Sequence, residues 1–380
     1  MPASTTDESL FAHYFEEVTD PRLDRRKQHS LLDIIGLTIC AVICGADSFV
    51  AVERFGHAKR DWLDQYFALP NGIPSHDTIG RTFALIDPRE FEAGFRAWIT
   101  AAFEQTEGQV VAIDGKTLRR SYDRQSSTAS LQMVSAWASE NHLSLGAAPI
   151  EADSNEVTAI PKLLELLELL ELSGCIVTID AAGCQTAITQ QITDEQADYV
   201  LTLKANQGEL YADVEALFRR LHEQGRLSAA SACTSGGHGR VEVRRCWAVE
   251  VAGRGIVDTA AWSHLRSVAM VEAERHIEGK VTTERRFFIS SLPADAERLL
   301  AAVRTHWHIE NKLHWVLDVA FEEDASRIRK GHAAENMAVV RRLALSLLKQ
   351  ETTSPVGTAT KRLQAGWNPE YLLSVLKGGI

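Results

Sequence analysis

Cys175-Ile176-Val177-Thr178-Ile179-Asp180-Ala181-Ala182-Gly183 repeats the plan of Val110-Val111-Ala112-Ile113-Asp114-Gly115: a short, continuously apolar, β-branched run that ends on an aspartate and a turn. Runs without polar alternation mark strands covered on both faces. An ionised carboxylate at the end of such a strand is costly unless something pairs with it. Two of them side by side repel unless a divalent cation lies between. A Mg2+ site needs that arrangement, a few carboxylates with water and substrate phosphate completing the octahedron. One Asp-Gly by itself more simply starts a turn or caps a helix. The duplication puts the metal reading on an equal footing with that plain one.

Around these runs the pattern is mixed. Leu131 to Ala138 and Leu143 to Ile150 read as two further strands, joined at Glu140-Asn141 as a hairpin, and Tyr199 to Leu203 as another. Ala159 to Leu172 and residues 183–196 read as helices between them, which gives an α/β layer fold with a mixed sheet. Residues 1–105 read as helical: Leu31 to Cys44, an amphipathic Phe49 to Phe67, a helix capped by Ser75 or Asp77 that runs through Leu85, and one from Asp87-Pro88 to about Phe103. Residues 206–291 turn strand-rich after a helix at Leu210 to Leu221. The strands there are Val241 to Val251, Leu265 to Glu274 and Arg285 to Ser291, and Ser235 to Gly239 is a loop. Helices return at 292–350, and the tail 351–380 is turn-rich with one short helix near Tyr371 to Leu376. The expected division is therefore 1–105, 106–205, 206–291, 292–350 and 351–380, with the second and fourth forming one core.

A third carboxylate stands in the densest chemical stretch, Arg304-Thr305-His306-Trp307-His308-Ile309-Glu310-Asn311-Lys312-Leu313-His314-Trp315. Spaced four apart, His306, Glu310 and His314 share one helix face. The two histidines as zinc ligands are the weaker reading, because no Cys or Asp partner stands at ligand spacing. No GxxxxGK[ST], GxSxG, HExxH or GxGxxG after a strand offers a competing chemistry.

The 380 residues suit two or three domains, and 45% hydrophobic with 24% charged residues is a folded globular profile. The opening MPASTTDESL lacks the features of a secretory signal, and Ile34 to Ala46 is shorter than a membrane span, so no membrane role is expected. Six scattered cysteines without a CxxC pair fit a reducing cytoplasm. A net charge of −11 excludes a simple DNA-coating protein but not DNA binding, because local charge sets a contact surface. Basic clusters occur at Arg25 to Lys27, Lys116 to Arg124, Arg285-Arg286, Arg327 to Lys330 and Arg341-Arg342, each of which taken alone is an ordinary solvated face.

Taken together, Ile113-Asp114-Gly115-Lys116-Thr117-Leu118-Arg119-Arg120-Ser121, Thr178 to Gln185, His306-Trp307-His308-Ile309-Glu310-Asn311 and Leu313-His314-Trp315 resemble the ISAs-type, H-repeat-associated insertion-sequence transposases of the DDE, retroviral-integrase-like superfamily. Asp20-Pro21-Arg22, Ile39 to Gly45, Gly72 to Thr78, Ser154-Asn155-Glu156 and Phe288 to Leu292 fit the same family, so the likeness spans nearly the whole chain. The resemblance implies an RNase H-like core with a β-rich insertion, an N-terminal helical DNA-binding domain, and Asp114, Asp180 and Glu310 as catalytic metal ligands for Mg2+ or Mn2+, two ions in all. It implies cutting of double-stranded DNA at element ends and transfer into target DNA, by a homodimer on the DNA, in a bacterial cytoplasm and at the nucleoid when DNA-bound. Lys116, Arg119, Arg120, Arg124, His306, Lys312 and Arg327 are the expected DNA contacts. Trp307 and Trp315 offer stacking for an extruded base, although a core position is the better reading of both. One departure stands out: where many relatives carry Tyr, Arg and Lys around the glutamate, this chain has Val303, His306 and Leu317. The roles of that Arg and Lys do not carry over, and His306, Lys312, Arg304 or Arg327 are the candidates to fill them. Two alternatives stay open: a catalytically silent DNA-binding relative, and an RNase H-like nuclease that cuts without joining.

Overall fold

β-Branched and apolar runs build one nine-stranded sheet in this computed structural model: β1 (Val110–Thr117), β2 (Gln132–Ala138), β3 (Leu143–Ile150), β4 (Ile176–Ile179), β5 (Asp198–Leu203), β6 (Ala230–Gly237), β7 (Arg240–Glu250), β8 (Ser267–Ile277) and β9 (Lys280–Ser290). The structure describes residues 12–102, 108–122, 129–151, 154–167, 172–227, 230–237, 240–256, 258–277 and 280–377, and the expected DNA contact Arg124 lies outside them. The strand order is β3-β2-β1-β4-β5-β9-β8-β7-β6. β1 pairs parallel with β4 and β4 parallel with β5, while β1-β2, β2-β3 and β5-β9 are antiparallel. The strand-rich segment after Asn206 thus extends the same sheet, because β9 takes up the free edge of β5. Ser235 to Gly237, expected as loop, lie in β6 opposite Glu242, Val241 and Arg240; ladder hydrogen bonds to β7 supply what their own propensity lacks.

Alternation along the strands sorts the two faces. Ile176, Val200 and Phe288 pack with Leu299, Leu300 and Ala302 of the helix Ala296–His306. Val177, Ile179, Leu201 and Ile289 belong to the other cluster, with Ile160, Leu163, Ile188 and Ile192 of the helices Glu156–Leu167 and Thr186–Asp194. By the same alternation Asp114 and Asp180 project on the face of Ala296–His306, and Gly115 on the face of Glu156–Leu167.

The N-terminal helices are Leu31–Ile43, Phe49–Ala58, Arg60–Leu63, His76–Leu85 and Pro88–Ala102. Ser75, not Asp77, caps His76–Leu85, accepting from the Thr78 amide at 3.3 Å. The single amphipathic helix expected over 49–67 is broken at Lys59, whose φ of −113° leaves the helical region. Beyond residue 351 the short helix expected near Tyr371 to Leu376 forms as Pro369–Lys377, and the stretch before it, expected as turns, forms a further helix, Thr358–Trp367. Arg362 explains their placement: its guanidinium donates to the Val42 carbonyl at 2.8 Å and to Asp47 at 2.8 Å, and lies 4.2 Å from the Phe321 ring centre. Among the described residues no helix is long and apolar enough to cross a membrane, and the six cysteines are free.

The long helix Ala333–Gln350 docks the N-terminal helices onto the sheet. Asn336, fully buried, donates to the carbonyls of Phe83 at 2.9 Å and Ile86 at 3.1 Å, and the His332 amide donates to the Ala84 carbonyl at 3.1 Å. Gly331 holds φ of +50°, and a Cβ there would collide with the Ala84 carbonyl oxygen. Gly331→Ala is therefore expected to cost about 2–3 kcal/mol, from left-handed strain plus the lost approach. Denaturant titration checks this; a midpoint equal to wild type would show that the junction tolerates a side chain.

Candidate active site

The register Val110↔Ile176 through Ile113↔Ile179 makes Asp114 and Asp180 lateral neighbours at the carboxyl ends of adjacent parallel strands. The third acidic group arrives from the opposite side of a cleft. After Ala296–His306 the chain makes a π-helical turn, Ile309–His314, before resuming as the helix Trp315–Ala320. Ile309, Leu313, Val316 and Leu317 are its buried stripe. Anchored there, the turn swings Glu310 and His314 toward β1. Ring nitrogen Nδ1 of His314 lies 3.2 Å from Glu310 Oε2 and 3.5 Å from Asp114 Oδ2. Asp114, Glu310 and His314 each offer one ligand atom, all mutually within 4.8 Å. Asp180 lines the same cleft of about 440 Å3, with Thr178, His306 and Trp307, but is not one of this tight trio. Its Oδ1 accepts the Ala182 amide at 2.9 Å, so it also caps the turn that follows β4.

Electrostatics mark the surroundings of Asp114 as short of positive charge. Burial pushes the Asp114 carboxyl up to about 6; His314 opposes that shift, and the charges of Asp180 and Glu310 add to it. Glu310, half exposed, is held below the usual carboxylate range mainly by its hydrogen bond from His314. Burial pushes His306 down to about 4, and its Nδ1 lies 3.0 Å from the Thr178 hydroxyl. It is thus packed against β4 as a neutral ring.

A fourth carboxylate went unread in the sequence. Glu156, in the first turn of Glu156–Leu167, fills the space where a side chain on Gly115 would stand, and burial together with the charges of Asp180 and Asp114 raises its pKa. Its only sequence signal was the Ser154-Asn155-Glu156 likeness.

Lys116 does not stand where a phosphate contact would. Its side chain is 8% exposed, and its amine ion-pairs with Asp318, with Glu323 at 3.2 Å, and donates to the His314 carbonyl at 3.2 Å. Glu323, fully buried, is pushed up by burial but held below the usual range by Arg342, Lys116 and Arg341. Lys116 therefore ties the strand of Asp114 to the helix of Glu310. Arg119 is exposed but paired with Asp324 at 3.2 Å, Lys312 is exposed, and Arg120 and Arg327 line a separate cleft. Leu317 is fully buried. Trp307 and Trp315 are 44% and 59% exposed, against the core positions expected of them. The Ile309, Leu313 and Leu317 stripe already occupies the inner face, which leaves the tryptophans outside, with the Arg286 guanidinium 5.4 Å from the Trp307 ring centre.

Residues 105–347 match the family described as Transposase DDE domain, and residues 12–99 the family described as DDE_Tnp_1-associated. "Putative transposase YncI" of Escherichia coli O157:H7 is 39% identical over 96% of this chain and 93% of its own length. "H repeat-associated putative transposase YhhI" of Escherichia coli K12 is 37% identical over 95% of this chain and 96% of its own. A cryo-electron-microscopy structure of a piggyBac transposase synaptic complex with hairpin DNA covers 97% of this chain and 80% of its own with a TM-score of 0.46 and 11% identity. On the strength of the domain match and these near full-length relatives, the chain belongs to the DDE transposases, and within them to the H-repeat-associated, ISAs-type insertion-sequence group.

Proposed function

We propose that this chain is an active DNA transposase whose metal ligands are Asp114, Asp180 and Glu310, and whose β1 to β5 form an RNase H-like core carrying the β6 to β9 hairpins as an insertion. The reading rests foremost on one observation: Asp114 and Glu310, far apart in sequence, bring carboxylate oxygens together around His314 in a cleft that Asp180 also lines. The donor set fits a hard divalent ion, Mg2+ or Mn2+: carboxylate oxygens with too little positive charge among them, beside an imidazole whose Nε2 is buried without a partner among the described residues. When bound, a pair of such ions would lower the pKa of a nucleophilic water or 3′-hydroxyl and stabilise the entering and leaving oxygens of a phosphodiester exchange. The chain itself does the positioning. Parallel pairing fixes Asp114 against Asp180, the π-turn presents Glu310, and Lys116 holds the two halves together. Exposed Trp307 and Trp315 flank Glu310 and offer stacking surfaces for a base. Two copies of the chain pairing two element ends on double-stranded DNA are part of the proposal.

Three results are expected. Asp114→Asn, Asp180→Asn and Glu310→Gln each lower divalent-dependent cleavage of element-end DNA by at least on the order of 10²–10³, the scale on which one lost charge-stabilising group is felt. Mn2+ titration calorimetry in parallel shows weakened ion binding while the melting temperature without metal does not fall. Undiminished cleavage in any one variant removes that residue from the site, and ion binding by wild type with no cleavage would point to the silent relative.

The second concerns pH. With its folded pKa raised to about 6, Asp114 contributes stability that is fully present below its unfolded value and lost as pH rises through 6. A cation must displace that proton, so Mn2+-induced thermal stabilisation should grow from pH 5 to about 7 and then level. Asp114→Asn should flatten the profile, and a flat wild-type profile contradicts the assignment.

The third separates positioning from DNA contact. Lys116→Met takes the cation from partly exposed Asp318 and leaves buried Glu323 to Arg341 and Arg342, so stability should fall by about 1–3 kcal/mol, with cleavage, while affinity for DNA at matched salt stays within about twofold. An unchanged stability with a salt slope reduced by about one would instead make Lys116 a phosphate ligand.

A further inference from the structure

Two chain segments leave the carboxylate cleft. One runs from β1 through Arg120 and Tyr122; the other follows Trp315–Ala320 through Arg327 to Lys330. They meet the helices Phe49–Ala58 and His76–Leu85 and with them enclose a second, larger cleft of about 1060 Å3. Its lining carries five cations: Arg81, Arg120, Arg327, Arg329 and Lys330. Only two carboxylates, Asp47 and Asp77, stand against them, and Asp47 is already paired with Arg362 at 2.8 Å. None of the five has a carboxylate within ion-pair distance among the described residues, although this chain carries 51 acidic residues against 40 basic ones. In such a chain, five cations gathered in one concavity against two carboxylates repel each other and focus a positive potential. That cost is offset when a polyanion fills the cleft.

The walls are built to stay. The Arg329 guanidinium lies 4.7 Å from the Tyr122 ring centre and donates to the Arg120 carbonyl at 2.8 Å. Arg81 donates to the Asp77 carbonyl at 3.0 Å, and Gly331 and His332 press the loop onto Ala84. Arg120, Arg327 and Lys330 nonetheless keep exposed side chains. Cations spread over three segments suit a row of phosphates rather than one phosphate group.

We infer that this cleft binds the phosphate backbone of duplex DNA and leads it toward the carboxylates from which two of its walls depart. This rests on the reading of the chain as a transposase. The binding is read by backbone charge, so the cleft orients DNA without selecting sequence.

The test uses the full chain carrying Asp114→Asn, in EDTA, with a fluorescent duplex whose anisotropy is followed across salt concentrations. Arg120→Ala/Arg327→Ala/Lys330→Ala should lower affinity on the order of 10–10²-fold at low salt and reduce the slope of log K against log salt by about 2–3, one phosphate per cation. Arg219→Ala/Arg220→Ala/Arg226→Ala removes the same charge from exposed positions elsewhere and should bind within about twofold of the parent. Lysine at Arg120 and Arg327 should restore most of the slope. Equal binding by the cleft variant and the parent, or equal loss in the control, overturns the cleft while leaving the transposase reading intact. A parent chain with no salt-dependent DNA binding overturns both.

Discussion

Parallel pairing of two aspartate-tipped strands is the constraint around which this molecule is arranged. Register alone forces Asp114 and Asp180 together, and each added carboxylate raises the cost of ionising the next. The fold meets that cost by bringing a helix across the sheet. His314 stands between Asp114 and Glu310, and the Lys116 amine grips the His314 carbonyl and Asp318. The π-helical turn belongs to the same solution. One widened turn lets the apolar stripe stay buried while Glu310 and His314 reach β1.

The charges divide into two populations that the overall sum of −11 conceals. Arg341, Arg342, Lys116 and Glu323 are withdrawn from solvent, and each pairs with another member or with a hydroxyl such as Ser135, 3.1 Å from Arg342. Such a buried network adds little net stability over an apolar core, and removing one member costs more than the whole network contributes. Arg120, Arg327 and Lys330 remain outside and have no ion-pair partner among the described residues. They lie a few residues along the chain from buried partners of the network, so the loops that complete the core also carry the exposed cations. The N-terminal helices close the second cleft because Asn336 and Gly331 clamp His76–Leu85 to the same long helix that carries Arg341 and Arg342.

The central strands were legible because a buried parallel strand must be continuously apolar, and Val110 to Ile113 and Ile176 to Ile179 have no other stable use. The three acidic candidates were legible because each interrupts or flanks such a run, or sits within a dense polar helix. The β6 strand was not, since its residues borrow their conformation from β7. Nor was the helix Thr358–Trp367, whose anchor is Arg362 reaching Val42 and Asp47 across the fold. Trp307 and Trp315 were misplaced by residue type, although the Ile309, Leu313 and Leu317 spacing already claimed the inner face.

Local covalent order thus determined what each segment is: which runs are strands, where they stop, which carboxylates stand at their ends, and, through ordered motifs, the family. What depends on pairing between distant segments was decided only by the folded chain. That includes which cations turn inward, as Lys116 does, and which stay out, as Arg120 does; that His314 rather than Asp180 joins the tight trio; and that Glu156 comes to rest against Gly115. The physical reason is that a side chain's charge and size are written at its own position, whereas its desolvation and its partners are set by whatever the tertiary structure packs beside it.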